Sequence, residues 1–550
     1  MLMQVKHRMN KPANLKINKT DSCVIGIDFG TTNSAMSRYC NSTLVNGPES
    51  LNFPITGNVL YPSVAYLDDV NNDIKTGIAA YNKRHIEPEK VISSVKRHLT
   101  EKNIYKIKNR AFSNVDIAKS IIFDFINEII LTDHEFKPSC VAVTVPYYFG
   151  ENENVLIKSV AEQAIYELIQ CETSLFIIPE QVAASIASIY NLNIKNIESE
   201  VFFIYDIGGG TLDLTLVRVT YNENDFSYEV LANDGIAKFG GDDIDELLYE
   251  YILSKIEINN TMLTEHQRLI NKARLLTECK EVKHHLSYSD NYTFLCNNLF
   301  GVDGGYVEMV ITRDVLNDLL SGLRGSQRNL VLEFQQCVQN LYSKAKINPA
   351  SVKYTIPIGG TSFIPIFRTY ANSAHNSALE IASGNIIDNL TLVANGASIY
   401  AAMMSDKIYN TLYHPFGSHN SIEQITTRIS HSLYIEKFNG KLDLIIPANS
   451  VSPVSVHKRY FPAKLKKDGK IVDLAEVHLF QGEGESRKRG RYIGMIDFSD
   501  YLIYTHNRTI NEIPIDITIE ATDTLVKAHC YIPLADFNCN NIEFTQIIHD

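Results

Sequence analysis

The stretch VFFIYDIGGGTLDLTLVRV, Val201–Val219, decides the fold. Val201–Tyr205 is a short apolar run of β type, and Leu212–Val219 is a second, alternating one. Between them stand Asp206, the glycines Gly208, Gly209 and Gly210, and Thr211. A strand that stops at an acid, turns through glycines and returns as a strand brings backbone N–H groups up to a bound anion. Only glycine permits that approach without a Cβ clash. Asp206 and Asp213 would repel a bare polyphosphate, so the pattern asks for a divalent cation between acid and phosphate, which points to a magnesium nucleotide. On this stretch alone, an ordinary hairpin with a glycine turn is the alternative.

The same device lies earlier in the chain. Val24–Phe29 is a strand-like run with Asp28 near its end, followed by Gly30, Thr31, Thr32, Asn33 and Ser34. Two such turns suggest a duplicated domain that grips a nucleotide from both sides. A third glycine pair, Gly359–Gly360 with Thr361, follows the apolar run Tyr354–Ile358.

With these turns in hand, DFGTTNS, DIGGGTLDL and IGGTSFIP resemble the phosphate-1, phosphate-2 and adenosine motifs of the actin-like ATPase superfamily. More narrowly, the chain resembles the seventy-kilodalton heat-shock chaperones of the DnaK type. VAVTVPYYF (141–149), IIPEQVAASIA (177–187), EVLANDGIAKFGGDDID (229–245), RLLTECKEVKHHLS (274–287) and VANGASIYAAM (393–403) carry the resemblance from about Cys23 to about Met404, with a weaker continuation. It implies an α/β fold: a two-lobed actin-like, duplicated ribonuclease H-like ATPase domain, then an all-β peptide-binding sandwich. The expected layout is a disordered arm at 1–21 and an ATPase domain at 22–405. Lobe I takes 22–190 and about 385–405, and lobe II takes 191–384. A linker at 406–424, the sandwich at 425–537 and a tail at 538–550 follow.

Composition bounds the function. At 550 residues the chain is too long for one core. A formal charge of −12 argues against nonspecific nucleic-acid binding, which needs a basic face. No apolar run approaches a bilayer span. Nine cysteines without a CxxC pair indicate neither a disulfide framework nor a zinc site, so a reduced, cytoplasmic protein is expected. Met1–Asp21 carries five basic residues and no apolar core, which reads as a disordered arm, with a transit peptide as the alternative.

What the resemblance implies for the site is specific. ATP or ADP with Mg²⁺ is the expected cofactor. Asp28, Asp206 and, through water, Glu180 and Asp213 would hold the cation and position water. Gly30, Thr31, Thr32, Asn33, Gly208, Gly209, Gly210 and Thr211 would cradle the phosphates. Lys96, in SSVKRHLT (93–100), would stand beside the γ-phosphate, where a cation stabilises transferring charge. Gly240 and Gly241 resemble the family's second-lobe turn, and Gly359, Gly360 and Thr361 its adenosine turn. Lys283 and Ser287 would hold the ribose. The family's adenine-sandwiching arginines fall at His284 and Phe363, and its acid on that helix at Lys280. Rings at both positions can rebuild the sandwich by stacking; alternatively, losing two guanidiniums lowers affinity. Pro146 of the family's allosteric relay is kept, while the relay arginine falls at Asn154.

DKIYNTLYHPFG, within 406–424, lacks the family's leucine-rich acidic linker. From Thr426 to about Ile532, short alternating runs separated by Asn-Gly (439–440) and Asp-Gly (468–469) read as all-β. In the family register Phe438 lies in the loop arching over bound peptide and Ala475 near the central pocket; a generic sandwich without a groove is the alternative. Only Pro533–Asp550 remains beyond it, too short for the family's helical lid, so rapid and weak client binding is expected.

The leading expectation is therefore an ATP-dependent chaperone, a monomer whose partners are unfolded or extended polypeptides, with a J-domain co-chaperone and a nucleotide-exchange factor as family implications. A divergent nucleotide-binding regulatory or holding module with little ATPase activity is the second reading. A filament or a sugar kinase of the same superfamily is the third, and the β-rich C-terminal part argues against it.

Overall fold

The computed structural model describes residues 23–41, 46–101, 103–130, 138–146, 149, 151–169, 173–192, 199–222, 225–259, 263–375, 378–381, 389–409, 421–426, 429, 432–437, 441–448, 450–452, 454–461, 464–467, 470–473, 476–482, 490–497, 514–521, 525–532, 537–538 and 542–545. Two six-stranded sheets repeat one arrangement. In the first, the order is Ser174–Pro179, Pro138–Val145, Cys23–Asp28, Asn33–Asn41 and Asn46–Ser50, with Leu60–Pro62 also on Asn33–Asn41. Cys23–Asp28 runs parallel to Pro138–Val145 and antiparallel to Asn33–Asn41. In the second, the order is Leu379–Glu380, Val352–Ile358, Ser199–Ile207, Leu212–Asn222, Asp225–Ile236 and Ser421–Thr426. Ser199–Ile207 is likewise parallel to one neighbour, Val352–Ile358, and antiparallel to the other, Leu212–Asn222. Asp28 and Asp206 thus occupy matching places at the ends of matching strands.

The sequence pattern explains the strands. All eight residues of Pro138–Val145 are buried, as a parallel strand covered on both faces requires. One core packs on the first sheet, another on the second, and a third lies between them. The helices Glu180–Leu192 and Leu392–Tyr409 supply that third core with small residues such as Ala183, Ala187, Ala397 and Ala401. A Cβ on Gly396 would collide with the backbone of Ala183, so the two helices cross at a distance only glycine allows.

The stretch read from sequence as an irregular linker differs in the structure. Its first residues continue the helix to Tyr409, and its last belong to Ser421–Thr426, which pairs in parallel with Asp225–Ile236 from Asp225↔Ser421 to Glu229↔Thr426. A sheet edge offers main-chain donors and acceptors to any extended segment, whatever its side chains, so the polar SIEQIT pairs there without an apolar signature.

The C-terminal part is wholly antiparallel. One sheet runs Leu442–Ile446, Ser432–Glu436, Glu476–Gly482, Gly490–Asp497. Another runs Val454–Tyr460, Ile515–Ala521, Leu525–Ile532, with Phe537–Asn538 and Ile542–Thr545 both on Leu525–Ile532. Leu433, Ile435, Leu479 and Ile496 of the first share one core with Ile515, Ile517, Ile519 and Val526 of the second. Among the described residues no helix is long and apolar enough to cross a membrane.

Candidate active site

Asp28, Lys96, Glu180, Asp206 and Asp213 line one cavity of about 130 Å³, with Gly30, Thr31, Thr32, Asn33, Gly208, Gly209, Gly210, Thr211, Gly359 and Gly360 around it. Each arrives by a local rule. Asp206 and Asp213 face each other as cross-strand partners flanking the glycine turn. Gly359 sits at φ 75°, where a side chain is strained, and a Cβ there would lie 2.6 Å from Asp206 Oδ1. Lys96 sits on a one-turn helix, Val95–His98, entered through Ser94 at φ 56°. Glu180 opens the helix Glu180–Leu192 directly after the strand Ser174–Pro179.

The electrostatics are those of buried acids short of cations. Lys96 is 3% exposed and donates to Glu180 Oε1 at 2.6 Å. Burial first, and then the Glu180 carboxylate, push Asp28 up to about 6, against the opposing effects of Lys96 and of the Thr144 hydroxyl, which donates to it at 2.9 Å. Burial and Glu180 likewise push Asp213 up to about 7, and hold Asp206 well above the usual carboxylate range. Carboxylates, threonine hydroxyls and glycine amides face the cavity beside Lys96, a donor set suited to a magnesium-bound polyphosphate. Among the described residues, no three His, Cys, Asp or Glu side chains converge closely enough to hold an ion directly.

The remaining expected residues lie further out. Gly240 and Gly241 stack on the phosphate-2 turn, with Gly241 N–H donating to Gly208 O at 3.0 Å. Lys283, 6% exposed, donates to Gly241 O at 2.7 Å and pairs with Asp245 at the same distance, so it braces this turn. Thr361 Oγ1 donates to Gly208 O at 2.9 Å and ties the third glycine turn to the second. Lys280 lines a second cavity of about 430 Å³ that shares Thr31 and Thr32 with the first. Its Nζ lies 5.4 Å over the Tyr81 ring, over which the Arg84 guanidinium also lies. His284, Ser287 and Phe363 line neither cavity. His284 is exposed on the last turn of the helix Glu265–Leu286; desolvation by the surrounding protein, then Lys283 and Lys280, hold its imidazole down to about 4. Ser287 Oγ donates to Lys283 O at 3.0 Å, and Phe363 is buried. Phe438 and Ala475 lie outside the described residues.

The structure also brings in a residue the sequence did not single out. Arg97, next to Lys96, reaches the phosphate-2 turn, where a Cβ on Gly210 would collide with its guanidinium. Its Nε and Nη2 are buried without a hydrogen-bond partner among the described residues. A buried fork of unused donors beside a glycine turn is suited to phosphate oxygens. Adjacency to Lys96 was the only available signal.

Comparison with known proteins decides the family. A family model described as "Hsp70 protein" matches residues 106–528, well over half of the chain. The chain belongs to the Hsp70 family. Among similar Hsp70 relatives, the "Chaperone protein HscA homolog" of Aliivibrio salmonicida is 27% identical over 507 residues, 88% of this chain and 72% of that protein. The "Chaperone protein DnaK" of Thermoplasma volcanium is 25% identical over 509 residues, 92% of this chain and 75% of that protein. The "Chaperone protein dnaK" of Phaeodactylum tricornutum is 26% identical over 494 residues.

Proposed function

We propose that this Hsp70 is an ATP-dependent molecular chaperone of DnaK type, which hydrolyses ATP in a two-lobed actin-like domain and captures exposed hydrophobic peptide segments in a β-sandwich. The observation that carries the reading is the convergence of three glycine turns, four carboxylates and the Lys96–Glu180 pair on one small cavity. Asp28 and Asp206, with Glu180 and Asp213 through water, would hold a magnesium ion whose charge offsets that of the phosphate oxygens. Thr31, Thr32, Thr211 and the glycine amides would cradle the phosphates. Lys96 is held in place by Glu180 and would meet the γ-phosphate, and Arg97, against Gly210, would add a second cation near the turn. Phosphoryl transfer needs little beyond such positioning and charge stabilisation. The burial of Lys96 and Glu180 strengthens these interactions.

The two antiparallel C-terminal sheets, sharing one core, support the sandwich reading. Extended peptide then gains affinity from main-chain hydrogen bonds and selectivity from an apolar pocket, to which Phe438 and Ala475 would contribute. Unfolded or extended polypeptides are the proposed clients, with a J-domain co-chaperone and a nucleotide-exchange factor as proposed partners. One observation favours the second reading, a nucleotide-gated holding module: Asn154, at the place of the relay arginine, has its Oδ1 buried without a hydrogen-bond partner among the described residues.

Single-turnover ATP hydrolysis by the full chain, beside Lys96→Ala, tests the proposal. Slow hydrolysis that the substitution abolishes is expected. Tight ATP binding without turnover would replace the chaperone ATPase by the holding module.

A further inference from the structure

Two cations, Lys280 and Arg84, take no part in the phosphate site described above. Both line the second cavity, of about 430 Å³, which shares Thr31 and Thr32 with the first. Lys280 belongs to the helix Glu265–Leu286, and Arg84 caps the end of the helix Gly77–Lys83. Distant in sequence, they meet over one ring, that of Tyr81, at 5.4 and 3.3 Å from its centre. Arg84 Nε donates to His85 Nε2 at 3.1 Å. Neither cation has a carboxylate within ion-pair distance among the described residues, and Glu281 acts on Arg84 only from further away.

The acids of the cavity do not offset them. Asp245 is paired with Lys283 at 2.7 Å, and Glu246 with Lys272 at 2.9 Å. Asp242 remains, tied to the phosphate-2 turn by its N–H, which donates to Gly209 O at 2.6 Å. Burial raises its carboxyl and so disfavours its charged form, against the opposing effects of Lys283, Arg97 and Lys280. Burial likewise disfavours the cations. It lowers Lys280, with Lys283 and then Arg84 adding like-charge repulsion against the attraction of Asp245, and it pushes Arg84 down to about 10. The Tyr81 ring attracts each cation but carries no net negative charge. Two desolvated cations that repel each other in a cavity, without an anion between them, favour an anionic guest.

We propose that this cavity is a second phosphate subsite, which takes one phosphate group beyond the polyphosphate cradled in the first. The inference rests on the nucleotide reading above. A phosphate dianion between Arg84 and Lys280 relieves their repulsion, accepts N–H bonds from the guanidinium fork and meets the ammonium as a point charge. Thr31 and Thr32 border both cavities, so the subsite adjoins the cradle. Lys280 lies one helical turn before Lys283 and His284. The phosphate has two possible sources, the ribose of the bound nucleotide and free inorganic phosphate. A cavity in the size range of small-molecule sites favours the ribose-linked group.

Isothermal titration calorimetry of the full chain with Mg²⁺ compares ADP with ADP that carries a further phosphate on the ribose 2′ or 3′ oxygen. The phosphorylated ligand is expected to bind about tenfold more tightly at low salt, with the gap narrowing as salt is raised. Arg84→Gln and Lys280→Gln should each bring the ratio of the two affinities towards one, and Lys280→Arg should keep it. A general weakening of ADP binding leaves that ratio unmoved. Where wild type shows a ratio of one, inorganic phosphate is titrated into its ADP complex. Saturable binding that each glutamine variant weakens by at least about fivefold assigns the subsite to free phosphate. Phosphate binding that the variants leave unchanged, no phosphate binding, or a preference for phosphorylated ADP that survives both substitutions overturns the subsite and leaves the nucleotide reading standing. Failure of wild type to bind ADP at all overturns both.

Discussion

The proposed phosphate end of the cleft and its proposed base-binding rim are built by different means. At the phosphate end, Lys96 and Glu180 are buried, and the glycine turns bond to one another through main-chain atoms. At the rim, His284 is exposed, Ser287 caps its own helix, and Phe363 is buried without lining either cavity. Where backbone geometry and buried charge set the chemistry, few side chains can change without loss. A base that stacks on a surface tolerates many surfaces. The contrast predicts a steep gradient of mutational effect along the cleft.

The largest effect is expected from Asp206→Asn. It should lower single-turnover hydrolysis by at least about 100-fold, as removal of a main electrostatic group does. The variant should fold at least as well as wild type, because burial already disfavours the Asp206 carboxylate. Unchanged hydrolysis would break the assignment of the phosphate end.

Arg97→Ala comes next, with about 10- to 100-fold slower hydrolysis and partial recovery in Arg97→Lys. ADP affinity separates the roles. A fork on the terminal phosphate leaves ADP binding nearly intact, whereas a purely structural arginine would weaken ADP and ATP alike.

The third effect is one of pH. In the folded, cation-free protein Asp28 and Asp213 stand at about 6 and about 7, against an ordinary 3.8. Their folded values are raised, so between about pH 4 and 7 the unfolded chain gives up protons that the folded chain keeps, and stability falls across that window. The proposed magnesium nucleotide would bind the deprotonated site. Its stabilisation, read as a rise in Tm, should therefore be smallest near pH 5 and largest above about pH 7. A constant rise would show that these acids do not face the bound cation.

The smallest effect belongs to the rim. His284→Ala should change ATP affinity by less than about threefold and leave competition by pyrophosphate untouched. A large loss would mean that the imidazole turns in to stack on the base, and the contrast between the two ends would shrink.

Much of the phosphate end was legible because its signals are local. An acid, two or three glycines and a hydroxyl, following an apolar run, describe a turn without reference to the rest of the chain. Asp28, Asp206, Asp213 and Gly359 were found in that way. Arg97 was not, because its position depends on contact with Gly210, far along the chain and on the other sheet. His284 and Phe363 were placed by resemblance alone, and the exposure of one and the burial of the other depend on how the helix Glu265–Leu286 and the turn Gly360–Phe363 pack. The alternating runs of the C-terminal part announced antiparallel strands. The strand Ser421–Thr426 was invisible for the opposite reason: its pairing is carried by main-chain atoms that every residue has.

That strand has a practical consequence for solution behaviour. It covers Asp225–Glu229, the outer edge of the second sheet. A fragment cut just after Tyr409 would bare this edge as a row of unpaired N–H and C=O groups, a template for another chain. Such a fragment should self-associate on concentration, while one extended past Thr426 should stay dispersed, a difference light scattering would register. The N-terminal part keeps Asp225–Glu229 off the edge of its sheet only when it is made through Ser421–Thr426.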